Sequence, residues 1–86
     1  MNINDLITII KKKIKENLSV ENIDIEDKTF LHKKHQGNDP KKFHLKLIIT
    51  SSQLREMKKI QSTKKIYYIL KEELDNYIHS IQILID

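Results

Sequence analysis

The sequence predicts an α+β fold, a three-stranded mixed sheet with its helices on one face. Three observations predict it. Apolar side chains recur at three- and four-residue spacing through the first eighteen residues. Two later segments, Phe43 to Thr50 and Ile78 to Ile85, alternate at the strand period. A helical stretch separates those two strands. A strand–helix–strand unit crosses over right-handedly, which sets the last strand parallel to the second.

The first helix carries Ile3, Leu6, Ile7, Ile10, Ile14 and Leu18 on its apolar stripe, with Asn4 or Asp5 expected as its cap. Lys11, Lys12, Lys13 and Lys15 oppose that stripe, suit the C-terminal end of the dipole and read as a solvated face. Ile23-Asp24-Ile25-Glu26 alternates as a strand with both isoleucines inward. A long connection from Asp27 to Lys42 holds His32, His35 and the only Gly and Pro. Loops of that length in a small domain are often functional. The second strand turns Phe43, Leu45, Leu47 and Ile49 inward and leaves His44 and Lys46 facing water. Ser51-Ser52 caps a short helix reaching to about Met57. Ser62 or Thr63 caps a longer one, with Ile66, Leu70 and Leu74 at four-residue steps and Tyr67 and Tyr77 flanking. Glu72, Glu73 and Asp75 form its charged surface. In the closing strand, strict alternation puts His79 on the face of Ile81, Ile83 and Ile85. Pattern alone reads it as a packed histidine bonded to a neighbouring carbonyl.

Composition sets the frame. Eighty-six residues make one domain, spanning 1–86. No cysteine is present, so the chain supplies no disulfide, thiolate nucleophile or thiolate metal ligand. No apolar run approaches the roughly 20 residues of a membrane span. Met1 is followed by Asn2-Ile3-Asn4-Asp5, not a basic leader. A cytoplasmic protein without membrane contact is the expectation. The net charge of +4 favours anionic partners but falls short of a nucleic-acid signature. No Ser-His-Asp signature, P-loop or glycine-rich dinucleotide motif occurs, so no enzyme is expected.

Several segments together resemble the BolA-like protein family over nearly the whole chain. Asp27-Lys28-Thr29-Phe30-Leu31-His32 matches that family's acidic, Ser/Thr, gap, His pattern. His44-Leu45-Lys46-Leu47-Ile48-Ile49-Thr50-Ser51 matches its His-led strand ending in Ser, and Ile66-Tyr67-Tyr68-Ile69-Leu70 its Tyr-containing helix. Ile78-His79-Ser80-Ile81-Gln82-Ile83 matches its closing His strand. Two departures stand out. Leu54-Arg55-Glu56 lacks the family's glycine, and Ser62-Thr63-Lys64 replaces its Arg-His-Arg.

The resemblance implies a BolA/KH-like fold of class II KH type, α-β-β-α-α-β. It also implies a monothiol glutaredoxin partner and a heterodimer sharing a [2Fe–2S] cluster. The glutaredoxin and glutathione would supply thiolates. This chain would supply His79 and a second ligand, His32, with His35 as its substitute. The isolated chain, expected to be a monomer, would bind no cluster itself. Imidazole ligation raises cluster potential relative to all-thiolate ligation. Read from its own residues, His32-Lys33-Lys34-His35 is equally an adventitious metal clip or a solvated stretch, its lysines repelling a cation. A second implication is transcriptional regulation through nucleic acid, with Lys58, Lys59, Lys64 and Lys65 as candidate contacts. The missing glycine and arginines limit that to weak contact. A structural adaptor with a merely packed His79 is the third reading.

Overall fold

The computed structural model describes residues 1–29 and 42–86. Its elements run α1 (Ile3–Asn17), β1 (Asn22–Asp27), β2 (Phe43–Thr50), α2 (Ser52–Arg55), α3 (Lys59–Ile69), α4 (Lys71–Asn76) and β3 (Ile78–Ile85). The sheet order is β1-β2-β3. β1 pairs antiparallel with β2, setting Ile23 opposite Ile49 and Ile25 opposite Leu47. β3 pairs parallel with β2, setting Leu47 opposite Ile83 and Ile49 opposite Ile85. The helical crossover delivers the expected parallel strand.

The core fills the space between the helices and one sheet face. From α1 it takes Leu6, Ile10 and Ile14, with Leu18 at the cap. The strands add Ile23, Leu45, Leu47, Ile49 and Ile78, and the crossover adds Leu54, Ile66 and Leu70. Full burial of each such side chain contributes about 1.5–3 kcal/mol before entropy is counted. Among the described residues, no helix is long and apolar enough to cross a membrane.

Four local expectations change. Asn2, not Asn4 or Asp5, caps α1, its side-chain oxygen accepting from the Asp5 N–H at 2.8 Å. Asn2 holds the extended backbone that a cap needs, while Asp5 sits in the first turn and complements the dipole. The long helix begins at Lys59, upstream of Ser62 and Thr63. Ser62 is buried inside it and donates its hydroxyl to the Lys59 carbonyl at 2.9 Å, a back-bond that lets a polar side chain sit in a helix interior. At Leu70 the backbone leaves helical values, dividing the expected helix into α3 and α4.

The fourth change concerns the acidic surface. Glu72 and Asp75 are exposed, but Glu73 turns inward, its side chain only 4% exposed. Lys13 reaches across from α1 and donates to Glu73 Oε2 at 2.6 Å and to Glu72 Oε2 at 3.4 Å. Lys13 therefore belongs to a partly buried ion pair and not to a wholly solvated face. Its hydrogen bond with Glu73 holds the ammonium pKa above the ordinary lysine value, against the opposing effect of partial burial.

Candidate functional site

The parallel β2–β3 ladder starts with an irregularity. Phe43 lies opposite Ile78, and the next residue, His44, lies opposite Ser80. His79 is the extra residue on β3, a β-bulge. The bulge resets the side-chain phase. Ile78 is buried, and the inward row resumes at Ile81, Ile83 and Ile85, all packed partly against the core. His79 drops out of that row and is exposed. The expectation of a core-face His79 is thereby corrected. Two-residue alternation holds only where no residue has been inserted. The three-residue step from Ile78 to Ile81 is the sequence signal of the insertion.

His44 is corrected in the opposite sense. It lies on the outward face of β2, yet it is only 4% exposed. Its Nδ1 is 2.7 Å from the Ser80 hydroxyl. Its ring centroid is 4.8 Å from that of His79, with the planes tilted at 45°. Its backbone is also held: the N–H donates to Thr29 Oγ1 at 3.2 Å, and the carbonyl accepts from the Lys28 N–H at 2.7 Å. Thr29 is anchored in turn, its N–H donating to Asp27 Oδ1 at 3.0 Å. Asp27 and Thr29 thus tie the exit of β1 to the start of β2 through a side-chain turn.

Beside His44 lies an open depression of about 370 Å³, lined by Lys28, Lys46, Leu45, Ile81, Ser80 and Gln82. Both lysines approach Glu26 Oε2, at 3.7 and 3.9 Å. Two cations against one carboxylate leave this rim net basic, an environment that favours an anionic group arriving from solvent. His79 is not part of that lining; its exposed imidazole meets the ring of His44, which is. Among the described residues, no three His, Cys, Asp or Glu side chains gather as a metal site. The geometry fits a lone donor to a centre completed by other groups, since an exposed imidazole on an edge strand is open to a second chain. His32 and His35 lie outside the described residues.

The candidate nucleic-acid residues are placed elsewhere. Lys58, Lys59, Lys64 and Lys65 are exposed along α3 and its entry. Ile60, Tyr67 and Tyr68 are exposed on the same helix, Tyr68 at 82%. α3 packs on the core side of the sheet through Ile66, whereas His44 faces out on the other side. The structure therefore does not bring these lysines together with His79.

The fold and chain compare directly with known proteins. The family model described as BolA-like protein matches residues 14–85. A Haemophilus influenzae relative named DNA-binding transcriptional regulator BolA is 32% identical over 73 residues, which are 85% of this chain and 68% of that one. The BolA domain of SufE1 from Arabidopsis thaliana superposes with a TM-score of 0.78 at 22% identity, covering 100% of this chain and 93% of that one. BolA1 from Arabidopsis thaliana gives 0.74 at 24% identity, covering 92% and 87%. The two structural likenesses speak for the fold, and the family match and the relative speak for descent: the chain belongs to the BolA-like protein family.

Proposed function

We propose that this chain is a non-enzymatic, cytoplasmic partner of a monothiol glutaredoxin that shares a [2Fe–2S] cluster with it, in iron–sulfur trafficking or iron regulation. The observation that carries the reading is the exposed imidazole of His79, placed outside the core row by the bulge and in ring contact with His44, which lines a basic depression. His79 is the ligand this chain contributes, and His32 or His35 is the candidate for a second. The cluster supplies redox and iron chemistry when bound. The chain's own residues supply one neutral nitrogen donor on a rigid sheet edge and a cationic rim that offsets the charge of a thiolate-ligated group. With no cysteine in the sequence, every thiolate comes from the glutaredoxin and glutathione.

Mixing the chain with a cluster-loaded monothiol glutaredoxin should change the visible absorption and circular dichroism and give a coloured complex on gel filtration. His79→Ala should abolish that change while leaving the far-ultraviolet spectrum and thermal midpoint close to the parent, because an exposed side chain holds up little of the core. An unchanged spectrum and no complex with the parent chain would refute the reading.

A nucleic-acid role is the second reading. Its support is the name of the Haemophilus influenzae relative and the exposed lysines of α3, none of which forms an ion pair among the described residues. Affinity for duplex should fall steeply with salt, and each of Lys58, Lys59, Lys64 and Lys65 replaced by Ala should remove about one unit of the log–log slope. A fluorescence titration that detects no duplex binding at low salt would discard it.

A further inference from the structure

We propose that His44 and Ser80 act as a positioning pair that holds the His79 imidazole in a presenting orientation, and that this pair governs how tightly the chain engages a metal centre through His79. The purpose rests on the cluster-sharing reading above; the geometry stands on the chain alone.

A bulged residue on an edge strand has no regular ladder position to set its direction. An exposed imidazole there loses rotamer freedom whenever it is captured by a ligand, and that loss weakens binding. Here the loss is reduced in advance. The His79 ring meets the His44 ring at 4.8 Å and a 45° tilt, inside the range of about 4.5–7 Å in which aromatic rings attract. The His44 ring is a fixed support. It is buried, its backbone is bonded on both sides by Lys28 and Thr29, and its Nδ1 is held at 2.7 Å by Ser80. Ser80 is the residue next to His79, so its hydroxyl ties the start of the bulged strand back to the ring on which His79 rests. A contact that fixes the orientation of a metal-ligating histidine strengthens its hold on the metal, and an aromatic pair contributes modestly to that orientation. If the Ser80–His44 bond served only to satisfy a polar atom, its removal would cost stability and leave His79 unaffected.

The experiment compares the full chain with Ser80→Ala, Ser80→Thr and His44→Leu. In the isolated proteins, the ring protons of His79 are followed by carbon-edited nuclear magnetic resonance. The parent and Ser80→Thr should show ring-current shifts away from the values in urea. In Ser80→Ala and His44→Leu those shifts should collapse toward the urea values. Ser80 is exposed, so Ser80→Ala reads the effect even if His44→Leu fails to fold. In mixtures with a cluster-loaded monothiol glutaredoxin, Ser80→Ala should weaken loading roughly two- to tenfold, the worth of an aromatic pair, and move the cluster midpoint potential, and Ser80→Thr should restore both. Identical His79 signals in the parent and Ser80→Ala, or equal loading and potential, would overturn the proposal. A parent mixture that stays colourless removes the cluster-sharing reading and with it the proposed purpose, whereas the resonance arm still decides the geometry.

Discussion

Lys13→Met should destabilise the protein by about 2 kcal/mol at neutral pH, less than the roughly 3–5 kcal/mol lost when one member of a fully buried ion pair is removed, because Lys13 itself stays partly in water. That is a large share of the roughly 4–13 kcal/mol expected for a chain of this length. Glu73 carries the cost. Its side chain is 4% exposed, Lys13 reaches its Oε2 at 2.6 Å, and its buried Oε1 accepts no hydrogen bond among the described residues. Without the ammonium, the carboxylate is left in the core with no cation beside it among the described residues. The pKa of Lys13 is raised by Glu73, so the contribution of the pair is complete below the ordinary value of 10.5 and disappears only as pH rises through the folded one. Urea titrations at neutral pH should show the deficit in Lys13→Met, and a Lys13→Met, Glu73→Leu double variant should recover most of it. A deficit under about 0.5 kcal/mol, within the usual range for surface substitutions, would contradict the assignment.

Leu47→Ala should cost somewhat more, about 3 kcal/mol within the 2–5 kcal/mol span of buried leucine truncations. Leu47 is fully buried on the central strand, flanked by Ile25 on β1 and Ile83 on β3, so neither neighbouring strand can close over the space it leaves. Ile48 is its control. It points to the other sheet face and is half-buried, so Ile48→Ala should cost about 1 kcal/mol, by area removed from water alone. Guanidinium midpoints with unchanged m-values would measure both. Equal losses at the two positions would mean that the helices do not cover one face of the sheet alone.

Both results bear on how far the residues could be read before folding was known. The apolar stripe of α1 and the inward row of β2 were legible because each follows one backbone period, 3.6 or 2, that neighbours along the chain share. The short helix after Ser51 was legible too, since a cap is a contact over three residues: the Ser51 hydroxyl accepts the Leu54 N–H at 3.2 Å. The start of α3 was not, because Ser62 bonds backward as readily as it caps, and the choice depends on burial against the rest of the core. The two histidines show the same divide. His79 looked inward because alternation was carried through a bulge, and His44 looked solvated because an outward residue was equated with an exposed one.

By itself the sequence determined the layer architecture, the parallel closing strand and the absence of any thiolate from this chain. Each of these depends on local periodicity, on the handedness of a crossover or on composition. Only the tertiary structure decided that Glu73 is the inward carboxylate of its helix, that Lys13, sixty residues away, answers it, and that His79 stands out beside a buried His44. Those outcomes depend on strand register and on which surfaces meet. Burial and pairing are properties of groups brought together across the chain, and no single stretch of residues contains both partners.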